Sequence, residues 1–240
     1  NIKKTVLEHI ATNTQGQFDG ITGGPGTGKT LLIYDIAREL SKTKTILMVH
    51  SGILCAGHHE LNKRVANVKI ISAKELRLRE IRDVDIVVVD EAHRLYTESL
   101  EKVERWVKRA KTICLFSYDA GQTLSNSENR RHTAESIDTL CANHIYKLTN
   151  KIRTNKELAL FITCLRDFSK CKPEYSFPNV KIIYEPNQAK APILAKKLSA
   201  EGYTYISFTP SLYNHTLDYQ ASEHNTHNVI GQEFEGVCMI

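Results

Sequence analysis

The chain has 240 residues, 41% of them hydrophobic and 25% charged, which suits one generous core or two modest ones and excludes a disordered tail. A net charge of +5 and a pI near 8.8 fit a polyanionic partner without demanding one. No apolar run reaches the roughly 18 residues of a membrane span, no signal-like core follows Asn1-Ile2-Lys3-Lys4, and six cysteines are scattered without C-x-x-C spacing, so the expectation is a reduced, soluble, cytoplasmic protein with no membrane partner. The missing initiator methionine reads as a piece of a longer polypeptide.

In chain order, a short strand is expected around Phe18 to Thr22, followed by Gly23-Gly24-Pro25-Gly26-Thr27-Gly28-Lys29-Thr30. This stretch meets every fixed position of the phosphate-loop pattern G-x-x-x-x-G-K-[ST]. Its glycines let consecutive N–H groups turn onto polyphosphate oxygens, and the helix behind presents its positive end to the same anion. Lys29 is placed for the β- and γ-phosphates and Thr30 for Mg²⁺. Leu32, Ile33, Ile36, Ala37 and Leu40 recur on one helical face, so Thr30 to Ser41 is predicted as that helix.

Thr45 to His50 reads as strand, and the polar, basic Ser51 to Arg64 as a loop with a short helix. Cys55, His58 and His59 lack a second ligand pair at finger spacing and are not assigned a metal. Val68 to Ile71 reads as strand and Ala73 to Arg82 as helix. Ile86-Val87-Val88-Val89 is a β-branched run of the kind found in a central, doubly covered strand, and it ends in Asp90 and Glu91. In open α/β sheets the carboxyl ends of strands carry the site. There Asp90 would hold Mg²⁺ and Glu91 would act as base on the attacking water.

A helix from Leu100 to Ala110 and a strand from Thr112 to Phe116 lead to the polar segment Ser117 to Leu124. Leu158, Phe161, Ile162, Leu165 and Phe168 mark a further helix, and the break from Lys170 to Pro178 is read as the neighbourhood of a linker. Val180 to Tyr184 and Tyr203 to Phe208 are expected strands around a helix near Gln188 to Ala200, with Pro192 in its first turn. Ser211 to Asn228 is expected as loop.

With these elements in order, the chain resembles a superfamily 1 helicase core over about residues 18 to 240. Asp119 and Gln122 look like the third helicase motif, and Leu148-Thr149-Asn150-Lys151-Ile152-Arg153-Thr154 like the fourth, L-x-x-N-Y-R-S. Thr226-His227-Asn228-Val229-Ile230-Gly231-Gln232-Glu233-Phe234-Glu235 resembles the fifth, in wording closest to bacterial helicase-like ATPases related to the helicase part of Schlafen proteins. The resemblance implies that Gln122 senses the γ-phosphate, Arg153 contacts it, Gly231 lies near the phosphates and Glu233 near the ribose.

It further implies an α/β P-loop NTPase fold, a RecA-like parallel sheet flanked by helices. Residues 1–155 would form the first, ATP-binding domain, and 156–240 a linker and the incomplete start of a second RecA-like domain. The implied activity is ATP hydrolysis with Mg²⁺, coupled to nucleic acid, with single-stranded DNA favoured and RNA possible. Alternatives are an ATPase that remodels nucleic acid or serves an associated nuclease without unwinding, and a nucleotide-switched binding module. The family pattern is not met everywhere. Gln15 stands too close to the loop to match the adenine-reading glutamine, Lys151 and Ile152 replace Asn-Tyr, and the chain stops at Ile240 ahead of a sixth motif.

Overall fold

A computed structural model describes residues 2–12, 16–121, 131–149, 155–187, 189–207, 222–226, 229, 232 and 234–239. The chain divides into two compact units, Asn1–Arg153 and Thr154–Ile240.

The first unit is a six-stranded, wholly parallel sheet in the order β3-β2-β4-β5-β1-β6. Its strands are β1 (Gln17–Gly23), β2 (Ile46–His50), β3 (Val68–Ser72), β4 (Ile86–Asp90), β5 (Ile113–Tyr118) and β6 (Ile145–Leu148). Parallel pairs need crossovers, which here include α2 (Lys29–Leu40), α3 (Ala56–Arg64), α4 (Ala73–Leu78), α5 (Thr97–Ala110) and α6 (Thr133–Leu140); α1 (Ile2–Thr12) precedes the first strand.

Every residue of β2, β4 and β5 is buried, as expected of strands covered on both faces. Because successive side chains alternate, Val87, Val89, Cys114 and Phe116 join one core with Leu100, Val103, Trp106 and Val107 of α5. Ile86, Val88, Ile113 and Leu115 join the other with Val6 and Ile10 of α1 and Ile33, Ile36 and Ala37 of α2. Each such aliphatic side chain contributes about 1.5–3 kcal/mol by leaving water. The phosphate-loop helix is therefore fixed by an apolar face against the sheet.

Parallel register brings one end of each strand to a common edge. Thr22 pairs with Tyr118, Val89 with Phe116 and His50 with Asp90, so Gly23, His50, Asp90 and Asp119 lie at the carboxyl edge.

The second unit contains α7 (Lys156–Arg166), a 3-10 turn Phe168–Lys170, α8 (Ala191–Ala200) and a parallel sheet β8-β7-β9 built from β7 (Thr204–Ser207), β8 (His224–Asn225) and β9 (Val237–Met239). Asn155 caps α7 by accepting from the Glu157 amide at 2.8 Å. Both carboxylate oxygens of Glu157 accept from Asn179, at 2.7 and 2.6 Å, tying the following loop to that helix. Pro192 occupies the first turn of α8, where its missing N–H costs nothing.

Three expectations fail. Within Ser211 to Asn228, expected as loop, His224–Asn225 forms β8 beside β7; the rest of that segment, apart from 222–226, lies outside the described residues. The helix expected from Ala73 to Arg82 ends at Leu78: Arg79 is extended, and Lys102 of α5 donates to the carbonyls of Leu76 at 2.8 Å and Arg77 at 3.3 Å, ending the helix with a tertiary partner. Val180–Tyr184 forms no strand; Ile182 and Tyr184 are exposed, and a β-rich run without a neighbouring strand has nothing to pair with. Conversely, α1 and α6 were not anticipated from the sequence. Among the described residues no helix is long and apolar enough to cross a membrane.

Candidate functional site

The carboxyl edge is built first from backbone. Gly26 and Gly28 take left-handed conformations, φ 75° and 84°, which glycine adopts without steric cost. At Gly23 a Cβ would stand 2.6 Å from the Leu148 carbonyl oxygen and 2.8 Å from Thr27 Oγ1, so β6 can pair here only with glycine. The Thr27 hydroxyl donates to the Gly24 carbonyl at 2.8 Å and closes the loop. Gly28, at the N-cap of α2, offers no side-chain cap, leaving the first-turn N–H groups suited to an anion.

Lys29 is buried, and its Nζ donates to the carbonyls of Gly23 at 2.7 Å and Gly24 at 3.0 Å. It also lies 3.6 Å from Asp119 Oδ2. The ammonium is thus held against the loop that would cradle a phosphate.

Asp90 closes β4 with a side chain removed from solvent. Thr30 Oγ1 donates to its Oδ1 across 3.4 Å; its Oδ2 makes no hydrogen bond and stands 3.4 Å from His50 Nδ1. A buried carboxylate oxygen without a donor carries a desolvation cost. A hydroxyl and a carboxylate converging in this way match the pair that holds Mg²⁺ in P-loop NTPases, so the donor set fits that ion.

Glu91 follows at φ 54°, a left-handed conformation uncommon outside glycine and frequent at functional turns. Burial, then the adjacent Asp90 charge, push its carboxyl above the ordinary range against the pull of Lys29. It opens the 3-10 turn Ala92–Arg94, which carries His93. The Asp119 amide donates to His93 Nδ1 at 3.2 Å, placing the ring proton on Nε2, 3.5 Å from Glu91 Oε2. Asp119 Oδ1 meanwhile accepts from the Gly121 amide at 2.9 Å. A continuous polar path runs from Glu91 through His93 and Asp119 to Lys29.

Of the residues named from sequence, the structure brings together Gly23, Gly24, Pro25, Gly26, Thr27, Gly28, Lys29, Thr30, Asp90, Glu91 and Asp119. Gln122, Arg153, Gly231 and Glu233 lie outside the described residues. His50 and His93 belong to none of the sequence motifs as role-bearing residues. His50 ends a buried strand in register with Asp90, and His93 stands two residues beyond Glu91, so position at the same edge was the available signal.

The family model described as Schlafen group 3, DNA/RNA helicase domain, matches residues 20–234. Among solved structures, the chain is similar to Pif1 helicase from Candida albicans, with TM-score 0.51 and 14% identity over 89% of this chain and 51% of that one; at such identity the likeness speaks for the fold. A structure of DNA unwinding at forked dsDNA by two coordinating Pif1 helicases gives TM-score 0.48 and 13% identity over 87% of this chain and 54% of that one. The flagellar accessory protein FlaH from Methanocaldococcus jannaschii gives 0.44 and 13% over 60% and 76%. The chain spans about half the length of the two Pif1 chains. A search of curated proteins found no match.

Proposed function

This chain belongs to the family of Schlafen group 3 DNA/RNA helicase domains, and on that premise we propose that it hydrolyses ATP with Mg²⁺ in a nucleic-acid-dependent manner, as a superfamily 1 helicase or translocase. The observation that carries the reading is the convergence of phosphate loop and acidic strand end, with Thr30 Oγ1 3.4 Å from Asp90 Oδ1.

Bound Mg²⁺-ATP would supply the transferable phosphoryl group and its counter-charge. The loop amides and Lys29 bind and orient the phosphates, with Lys29 exchanging its loop carbonyls for phosphate oxygens. Thr30 and Asp90 would hold the metal. Glu91 takes a proton from the attacking water; its raised affinity for protons suits a base, and the His93 Nε2–H orients it. On the family resemblance, Gln122 senses the γ-phosphate, Arg153 stabilises the transferred charge, and Gly231 and Glu233 complete the nucleotide site. The unit Thr154–Ile240 is assigned as the start of a second RecA-like domain. Nucleic acid, single-stranded DNA first, would contact the segment 51–64 through its basic residues in a salt-sensitive, sequence-tolerant way.

The test is ATP turnover by the full-length protein alone and with single-stranded DNA, duplex DNA or RNA. Stimulation by a single strand, lost in Lys29→Ala, is expected. Turnover absent under every condition, or unchanged in Lys29→Ala, rejects the reading.

A further inference from the structure

The carboxyl edge holds one buried polar side chain that the chemistry above does not use. His50 ends β2 and pairs in register with Asp90 of β4, and residues side by side on parallel strands turn their side chains to the same face. That face is the one by which Met48 and Val88 join the core shared with α1 and α2, so the imidazole is carried into the interior together with the carboxylate. Both side chains are fully buried. His50 Nδ1 stands 3.4 Å from Asp90 Oδ2, while the other carboxylate oxygen, Oδ1, faces the Thr30 hydroxyl at 3.4 Å.

The surroundings are short of partners. His50 Nδ1 and Nε2, Asp90 Oδ2, the Tyr34 hydroxyl and Ser51 Oγ are all buried and make no hydrogen bond. A core residue of that size would be cheaper without nitrogens, since an imidazole that loses water and gains no partner is destabilising. The ring is also confined. His58 of α3 lies against it, with centroids 4.4 Å apart and planes at 37°, and His58 is itself pinned because its Nδ1 accepts from the Cys55 amide at 2.9 Å. A Cβ at Gly52 would stand 2.8 Å from His50 Nε2, so the chain leaves β2 through a glycine that makes room for the ring. With those sides occupied, the edge that bears Nδ1 is the one turned to Asp90.

A carboxylate that gives one oxygen to a metal ion, or to its water, keeps charge on the other, and in a buried place that second oxygen needs a donor. The His50 N–H supplies it when the gap closes from 3.4 Å to the roughly 2.8 Å of a charge-assisted hydrogen bond. Contacts of this kind are often long in the free protein and tighten only with ligand.

We propose that His50 is a positioning residue for the nucleotide's metal ion: by donating Nδ1–H to Asp90 Oδ2, it fixes the carboxylate so that Oδ1 is presented to Mg²⁺ beside Thr30 Oγ1. The proposal rests on the assignment of Thr30 and Asp90 to that ion. His50 touches neither metal nor phosphate and acts through Asp90. The role accounts for a polar ring closing a strand whose other four residues, Ile46 to Val49, are apolar and equally buried.

The experiment measures binding of Mn²⁺, which takes the same oxygen ligands as Mg²⁺ and is followed by electron paramagnetic resonance, to the full-length protein with ADP. The variants are Asp90→Ala, His50→Leu, His50→Asn and His50→Gln. Asparagine places an N–H close to the position of Nδ1, whereas glutamine places it nearer to that of Nε2. The wild type should bind about one equivalent, and Asp90→Ala should lose it. His50→Leu and His50→Gln should bind Mn²⁺ about 10–100-fold more weakly, while His50→Asn keeps the wild-type affinity. The Mg²⁺ concentration for half-maximal ATP turnover should rise in the same order, with ADP affinity in the absence of metal unchanged. Should His50→Leu not fold, the Asn and Gln variants decide between them. Wild-type Mn²⁺ affinity in His50→Leu or His50→Gln, or equal weakening in His50→Asn and His50→Gln, overturns the proposal and leaves Asp90 as the metal's ligand. A wild type that binds no Mn²⁺ with ADP, or whose binding survives Asp90→Ala, overturns that assignment and the proposal with it.

Discussion

At the carboxyl edge of the six-stranded sheet the site is made of backbone amides, one lysine held on carbonyls, and a carboxylate pair under strain. At the amino edge, four residues back along the same strand, two histidines, a glutamine and a buried aspartate converge from three elements. The carboxyl edge keeps Glu91 in a left-handed conformation and Asp90 Oδ2 without a donor, arrangements that cost stability and suit a ligand. The amino edge closes His9, Gln17 and the buried Asp19 into a polar group that ties α1 to β1. The two groups stand on either side of Gly20, Ile21 and Thr22 of the same strand.

If this division is right, substitutions at the two edges separate activity from stability. The largest effect is expected for Glu91→Gln, which should reduce ATP turnover by about 10²–10⁴-fold, or about 3–5 kcal/mol in the barrier. Its melting temperature at neutral pH should be equal to or above that of the wild type. The sign follows from the raised pKa: a carboxyl that holds its proton more firmly when folded contributes stability at low pH, and this is lost as pH rises through the folded value. A neutral amide escapes that loss. Turnover that survives in Glu91→Gln, measured in a steady-state ATPase assay, removes Glu91 from the mechanism.

Gly23→Ala should break the comparison, since this position belongs to both the cradle and the strand. The new methyl would meet the Leu148 carbonyl at 2.6 Å, so β6 must move. A loss of about 1–3 kcal/mol in denaturant unfolding is expected, together with loss of nucleotide binding. Unimpaired stability would mean that the β1–β6 pairing yields more easily than the geometry implies.

The smallest effect concerns pH. Burial first, then the neighbouring His50, lower the His58 pKa from 6.5 to about 4, and its Nδ1 accepts the Cys55 amide at 2.9 Å at the start of α3. The unfolded ring takes up a proton before the folded one, so this contribution is complete above about 6.5 and is lost as pH falls toward 4. Thermal melts across that window should fall less steeply for His58→Gln than for the wild type. Parallel slopes would show that His58 does not carry the difference.

The phosphate loop was legible because its work is local: eight consecutive residues supply the turn, the amides, the lysine and the hydroxyl. The Ile86–Asp90 strand was legible for a similar reason, an unbroken β-branched run having few uses other than a buried strand. The helix ended by Lys102 was misjudged because the group that ends it sits 26 residues beyond Leu76. Val180–Tyr184 misled because β propensity means little without a partner strand.

The sequence by itself determined the α/β class, the order of strand, loop and helix around Lys29, and the acidic end of β4, since each depends on neighbouring residues and their periodicity. Only the tertiary structure decided that Asp119 faces Lys29 at 3.6 Å, that His93 joins Asp119 to Glu91, that His50 stands against Asp90, and that His9, Asp19 and His144 meet. Those contacts join elements far apart in the chain, and they arise because parallel pairing and two apolar faces fix the register of the strands, bringing polar residues at strand ends together without any spacing in the sequence to announce it.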